Sequence, residues 1–339
     1  MTGRSALLTS VAVLALALPL PAQAADKVMT YTHFQEANLN SPKHAAGLAF
    51  KGCLESKTAG SIEVQLFPAS QLGDAEEVLE GLQIGTVQLG VVHDGPISAV
   101  YPPFAVFAIP YLFEDQAEAW TVVDGPVGQE MGEEMAQTTG IRMLAMADNG
   151  VRHFTNSRHA VKSPEDMEGL KIRVMTAPVW VRMVESLGAS ATPVPWTELP
   201  GALQQGVVDG QENGVTNILD ASLYQHQSHV TLDGHVYSWH AYLISEDFYQ
   251  SLSEEERSAL HQCTEIAKVI HRGMTAAQDT NAATILGERG MQVTALTRDQ
   301  RDAFRERAQP AVREWLVGEI GNEWLEKLDA AIDEFRSAN

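Results

Sequence analysis

Strands of buried type alternate with helices along most of this chain, and that alternation limits the fold more than any other feature. Val28 to Thr32 is predicted as a strand, Pro42 to Lys57 as a helix, Ile62 to Phe67 as a strand, Ala75 to Ile84 as a helix and Val87 to Val92 as a strand. Asp74 followed three residues on by Glu77 supplies a reciprocal helix start, because each can satisfy a free backbone N–H of the first turn. A run such as Val87-Gln88-Leu89-Gly90-Val91-Val92 suits a sheet covered by helices, so the alternation favours an α/β layer architecture over an all-helical one.

The same grammar restarts further on. Strands are predicted near Ile141 to Ala147 and Val151 to Thr155, then a short helix opened by Ser163-Pro164 and closed by Gly169. Leu170 to Val174 is the next strand, and Pro178 to Leu187 and Trp196 to Gln204 are helices; Pro200 falls in the first turn of the latter, where its missing N–H costs nothing. No Pro- or Ser-rich linker separates the halves, so two α/β lobes joined by crossing strands are expected. A long helical stretch follows from Glu254 to about Gly287, started by Ser253 and Glu256, with Leu260, Cys263, Ile266, Ile270 and Met274 along one face. It is expected to pack across both lobes, and Arg298 to Ser337 is expected to form further amphipathic helices.

The amino terminus sets the compartment. Arg4 precedes an apolar run from Ala6 to Leu20 and the small-residue site Ala22-Gln23-Ala24, the pattern of a cleaved secretory signal over residues 1–24. The run is shorter than the roughly 20 residues of a membrane span, and Pro19 and Pro21 interrupt it. A mature chain starting at Ala25 in the periplasm is therefore expected, long enough for two domains. The full sequence's formal net charge of −21 argues against nucleic acid or an anionic membrane surface as partner. Cys53 and Cys263 are the only cysteines; their spacing excludes paired-cysteine zinc and redox motifs. A disulfide between distant segments and two buried free thiols both remain open.

No catalytic motif is present: the chain lacks Gly-x-Ser-x-Gly, His-Glu-x-x-His, a phosphate-binding glycine loop and a dinucleotide fingerprint. His226 and His229 have no third ligand at matching spacing, so no metal and no cofactor is expected. What stands out is a pair of arginines at strand ends, Arg152 and Arg173. Ligands bind at the carboxyl ends of strands in open α/β sheets, and a guanidinium matches a carboxylate with two parallel hydrogen bonds.

Four blocks then carry a family resemblance over essentially the whole mature chain: Phe67-Pro68-Ala69-Ser70-Gln71-Leu72-Gly73, Phe107-Ala108-Ile109-Pro110-Tyr111-Leu112-Phe113, Gly169-Leu170-Lys171-Ile172-Arg173-Val174 and Val207-Val208-Asp209-Gly210-Gln211-Glu212-Asn213. In this order they make the sequence similar to the DctP-type solute-binding proteins of tripartite ATP-independent periplasmic (TRAP) transporters. The resemblance implies a two-lobed clamp with a hinge and a long helix spanning both lobes. Lobe I would comprise residues 25–148 with about 238–278, and lobe II residues 149–237 with about 279–339.

It also implies a non-enzymatic role: a monomer that captures a small organic acid and delivers it to membrane permease subunits. Arg173 would grip the carboxylate, Arg152 lie beside it and Asn213 complete the grip, with Trp196, His93, Asp94 and Phe34 at the cleft. Trp239 and His240 would line the pocket or pack the hinge. Gly214 stands where the family usually has proline, which is expected to loosen the turn holding Asn213. Asp94 and Glu212 could offset the arginines, so a small amine or zwitterion is the second ligand class. A periplasmic hydrolase or lyase is the alternative of a different kind.

Overall fold

A computed structural model describes residues 25–338, so the expected secretory signal lies outside the described residues. Nine strands form one mixed sheet: β1 (Lys27–His33), β2 (Ile62–Phe67), β3 (Leu89–His93), β4 (Ile141–Asn156), β5 (Lys171–Val174), β6 (Ser190–Pro193), β7 (Gly210–Gly214), β8 (His229–Ser245) and β9 (Gln292–Ala295). Their order is β2-β1-β3-β8-β4-β7-β5-β6, with β9 also on β8. The fold is an α/β, two-lobed arrangement, and β4 and β8 are the reason. Each is long enough to serve both lobes: β8 pairs with β3 through Trp-flanking residues His240 to Ile244, and with β9 through His229 to Leu232. Antiparallel β4 follows it throughout and takes β7 as a second neighbour only from Arg152 to Asn156.

Residues 141–156 therefore form one strand, not the two that were expected. Asp148-Asn149-Gly150 has the composition of a turn, yet Gly150 takes φ +98° inside a bulge between Asp148 and Gly150, and the ladder to β8 resumes beyond it. A bulge lets a strand bend without leaving its sheet.

The helices start where their capping residues stand. Asp74 accepts from the Glu77 N–H, Glu77 accepts from the Asp74 N–H at 2.9 Å, and the helix Ala75–Ile84 ends on left-handed Gly85. Ser253 and Glu256 make the same box for the helix Glu254–Thr280, which breaks at Asn281 rather than running to Gly287; a separate helix, Ala282–Glu288, follows. The face it buries also differs from the expected one. Leu260 and Cys263 are buried, but Ile266 is exposed, and Thr264, Ala267, His271 and Thr275 carry the buried stripe onward. Small and polar side chains suit this surface because the helix lies close against β4, where Arg272 donates to the Met146 carbonyl and Thr275 faces the Asp148 carbonyl. Among the described residues no helix is long and apolar enough to cross a membrane.

Cys53, on the helix Pro42–Lys57, and Cys263 form a disulfide across 210 residues of sequence. Cross-linking so distant a pair restricts the unfolded chain, which typically contributes about 2–4 kcal/mol. Reduction, or joint Cys53→Ser and Cys263→Ser substitution, is expected to lower stability by about that amount. Denaturant midpoints of oxidised and variant protein decide it, and identical midpoints refute it.

Candidate functional site

Where the two lobes meet, the strand ends converge on a cavity of about 290 Å³ including its mouth, at the small end of the range for small-molecule pockets. His93 closes β3, Arg173 is the penultimate residue of β5, and Asn213 is the penultimate residue of β7. Phe34 follows β1, and Trp196 opens the short turn of helix Trp196–Glu198. Of the seven residues expected at the cleft, these five and Arg152 line the cavity together. Asp94 does not. It is buried behind the wall, accepting hydrogen bonds from Ser238 Oγ at 2.8 Å and the Trp239 N–H at 3.1 Å. Its place one residue past the end of β3 turns it into a helix-start residue facing β8 instead of the cavity.

The two arginines differ in what they hold. Arg152 is fully buried, and its Nε and Nη2 donate to both carboxylate oxygens of Glu212, with Nη2 donating also to the Glu212 carbonyl at 2.7 Å. Nη1 reaches Ser238 Oγ at 3.4 Å, and the guanidinium lies over the Trp180 ring. Little of its donor capacity is left. Burial opposes charge on Glu212, but Arg152 outweighs it and holds the carboxyl below its ordinary pKa. On the far side, His235 sits between Asp233 at 2.8 Å and Glu212 at 3.3 Å. Burial disfavours its charge, yet the two carboxylates prevail and raise its pKa to about 9.

Arg173 is only 1% exposed, and its side chain makes a single hydrogen bond among the described residues, from Nε to the Val194 carbonyl at 2.8 Å. Its Nη1 is buried without a partner among the described residues. Burial pulls its pKa down to about 10, partly offset by Glu212 and reinforced by Arg152. A guanidinium held dry, with its fork free, is a built receptor for an anion.

Amides make up the wall beside it. Asn217 Nδ2 donates to Asn149 Oδ1 and to Asn213 Oδ1, and Asn213 Nδ2 donates to Gln211 Oε1 at 3.2 Å. This chain of bonds orients Asn213. Gly214 does not loosen it: a side-chain carbon at Gly214 would stand 2.4 Å from the Asn149 carbonyl oxygen, so glycine permits the close approach of β7 to β4. Asn149, Asn217, Met175, Lys43 and His240 also line the cavity. Of these only His240 figured in the sequence reading; Trp239 instead packs among Phe107, Phe113 and Tyr237. Lys43 escaped notice as an ordinary helix lysine. Its position was the available signal, because a cation in the first turn, next to Pro42, opposes the helix dipole and needs a reason to be there.

A family model for bacterial extracellular solute-binding proteins, family 7, matches residues 33–317. A solute-binding protein of Verminephrobacter eiseniae is 37% identical over 254 residues, 75% of this chain and 76% of its own. The crystal structure of a sugar acid binding protein from Advenella mimigardefordensis in complex with galactonate shares the fold with a TM-score of 0.87 at 30% identity, over 92% of this chain and 99% of that one. A TRAP periplasmic solute-binding protein from a Polaromonas species, bound to D-erythronate, gives 0.84 at 32% identity over 90% and 98%.

Proposed function

The chain belongs to family 7 of the bacterial extracellular solute-binding proteins, and on that premise we propose that it is the periplasmic receptor of a TRAP transporter, capturing a small organic carboxylate between its lobes. The observation that carries this is the Arg173 guanidinium: buried, charged, on the cavity wall and with Nη1 unpartnered. A ligand carboxylate supplies what it lacks. Lobe I would be residues 25–148 with about 238–278, lobe II residues 149–237 with about 279–339, and Gly150 with its bulge would serve as the hinge. Contacts between the lobes support a closed form: Gln35 Nε2 donates to Asn217 Oδ1 at 3.2 Å, the Glu36 N–H to Asp220 Oδ2 at 3.1 Å, and Thr176 to Glu76. The membrane permease subunits would recognise that closed form of the monomer.

Catalysis is not part of the proposal. The carboxylates expected near the cavity, Asp94 and Glu212, are committed to Ser238 and Trp239 and to Arg152 and His235. Among the described residues no carboxylate lines the cavity, which also weighs against an amine ligand, since a cation needs an anionic partner there.

Melting curves against organic acids, sugar acids, amino acids and small amines test the proposal. A native-state ligand at one hundred times its Kd adds about 2.7 kcal/mol of stability, and acids are the expected hits. Stabilisation by amines alone, or turnover of any member of the panel, overturns it.

A further inference from the structure

Asp279 stands outside the ligand cavity and lines a separate one, which among the described residues shares none with it. It is the penultimate residue of the helix Glu254–Thr280, where a negative charge opposes the helix dipole. Its Oδ2 accepts from the Val151 N–H at 3.0 Å, and its Oδ1 is buried with no partner among the described residues. Burial raises its pKa to about 7, with the Val151 N–H opposing the rise and Asp148 adding to it. Of the other titratable or charged groups around it, Tyr237 comes from β8, and Glu114, Asp115 and Arg301 line the same cavity. A charge in this place lowers stability, because the helix dipole, desolvation and a like charge all disfavour it. Such a residue points to a role other than holding the fold together.

What Asp279 holds is the bulge of β4. The ladder passes from Asp148 opposite Trp239 to Gly150 opposite Ser238, so Asn149 is the extra residue, and Gly150 takes φ +98°. The carboxylate lies so close that a side-chain carbon on Gly150 would stand 3.0 Å from Oδ2 and 3.2 Å from Oδ1. Residues on both sides of this peptide reach the wall of the ligand cavity. Asn149, whose amide bonds Ser238 and Asn217, lines it, and so does Arg152, whose guanidinium is bound to Glu212. The Asp148 carbonyl meets the ring of His240, another wall residue, at 3.3 Å. The bond at Val151 therefore fixes, from outside, the stretch of backbone that carries these wall contacts.

Resting on the reading of that cavity as the carboxylate site, we propose that Asp279 is a positioning residue: through the Val151 N–H it holds the β4 bulge in the shape that forms the wall at Asn149 and Arg152. An ionised carboxylate is the stronger acceptor, so the hold is firm when Asp279 is charged and slackens when it is protonated. The wall then responds to pH although the titrating group stands outside the cavity.

Calorimetric titration of the mature chain with succinate, 2,3,4-trihydroxybutanoate and galactonate, at pH 6 and pH 8 on either side of the Asp279 pKa of about 7, tests this on Asp279→Asn and Asp279→Ala. At pH 8 Asp279→Ala is expected to bind about tenfold more weakly than the native chain, the worth of one hydrogen bond to a charged group. Asp279→Asn, which keeps an acceptor, is expected to recover part of that loss. Lys43, drawn down by burial to about 7, titrates in every variant, so the quantity to read is a ratio. The deficit of Asp279→Asn against the native chain is expected to shrink from about fivefold at pH 8 to less than about twofold at pH 6. Its melting temperature at pH 8 is expected to be no lower than that of the native chain, since a buried charge has been removed. A melting temperature that falls in step with affinity makes Asp279 a structural residue and overturns the proposal. So does a ratio that ignores pH, or an Asp279→Ala that binds as tightly as the native chain. If none of the three acids binds the native chain, the carboxylate reading fails on its own account and exchange of the Val151 amide decides the rest. Protection lower by about tenfold or more in Asp279→Ala then supports the hold on the bulge, and equal protection overturns it.

Discussion

Arg173→Ala is expected to weaken binding of the proposed carboxylate ligand by about 30-fold to several thousand-fold, because truncating one partner of a buried, hydrogen-bonded charge pair costs roughly 2–5 kcal/mol and each 1.4 kcal/mol is about tenfold. The fold is expected to survive, since among the described residues the side chain's only hydrogen bond is the one from Nε to the Val194 carbonyl. Removing it also relieves the protein of a buried cation whose Nη1 has no partner among the described residues. Loss of binding without loss of melting temperature is the signature to look for. Arg173→Lys recovers only part of the affinity: an ammonium keeps the charge and loses the planar fork. Calorimetry on the three proteins with one acid provides the measurement. A folded Arg173→Ala that binds as tightly as the native chain refutes the clamp.

Arg152→Ala is expected to produce the opposite pattern. Glu212 is fully buried, and without Arg152 its carboxylate keeps His235 within ion-pair distance and the weaker field of Arg173 for charge compensation. Leaving a buried charge unpaired costs about 3–5 kcal/mol of stability, which at this chain length lowers the melting temperature by roughly 5–8 °C. Adding Glu212→Gln to Arg152→Met is expected to recover much of the loss, because neither charge then remains to be neutralised. Binding measured well below the transition falls less than for Arg173→Ala, since Arg152 keeps little donor capacity for a ligand. A melting temperature unchanged in Arg152→Ala shows that the pair does not hold the wall together. The sequence suggested two arginines side by side at one ligand; the structure shows one paired with Glu212 and the other with an unpartnered Nη1 among the described residues.

That division could not be seen in the chain alone, because it depends on which arginine finds Glu212. Strand-end position accounts for Arg173 near the end of β5, whereas Arg152 was expected at a strand end and lies inside the single long β4, lining the cavity from there. Phe34, His93 and Asn213 followed from the family resemblance, and they line the cavity as well. Local chemistry was legible wherever one short segment decides the outcome. Asp74 with Glu77 and Ser253 with Glu256 mark helix starts because a capping box is contained within four residues. What failed were the features that need a distant partner. Gly150 reads as a turn until β8 is present to carry the strand through its bulge. Ile266 belongs to a good apolar register, but β4 lies against the stripe of Thr264, His271 and Thr275 and leaves it outside. Lys43 and Asp94 change places for the same reason: a lysine on a helix looks solvated and an aspartate beside a strand end looks like a ligand, until burial assigns one to the wall and the other behind it.

The bond between Cys53 and Cys263 also sets an order of events. Its partners are made 210 residues apart, which at synthesis rates of about 5–20 residues per second separates them by tens of seconds at the slower end. Throughout that interval Cys53 is a thiol with no correct partner in existence. It has no wrong partner in the same chain either, because no third cysteine exists. Mispairing can therefore only join two chains, and its frequency should rise with the density of nascent molecules. Overproduction would then yield disulfide-linked dimers that reductant resolves, while slow expression gives monomer from the outset.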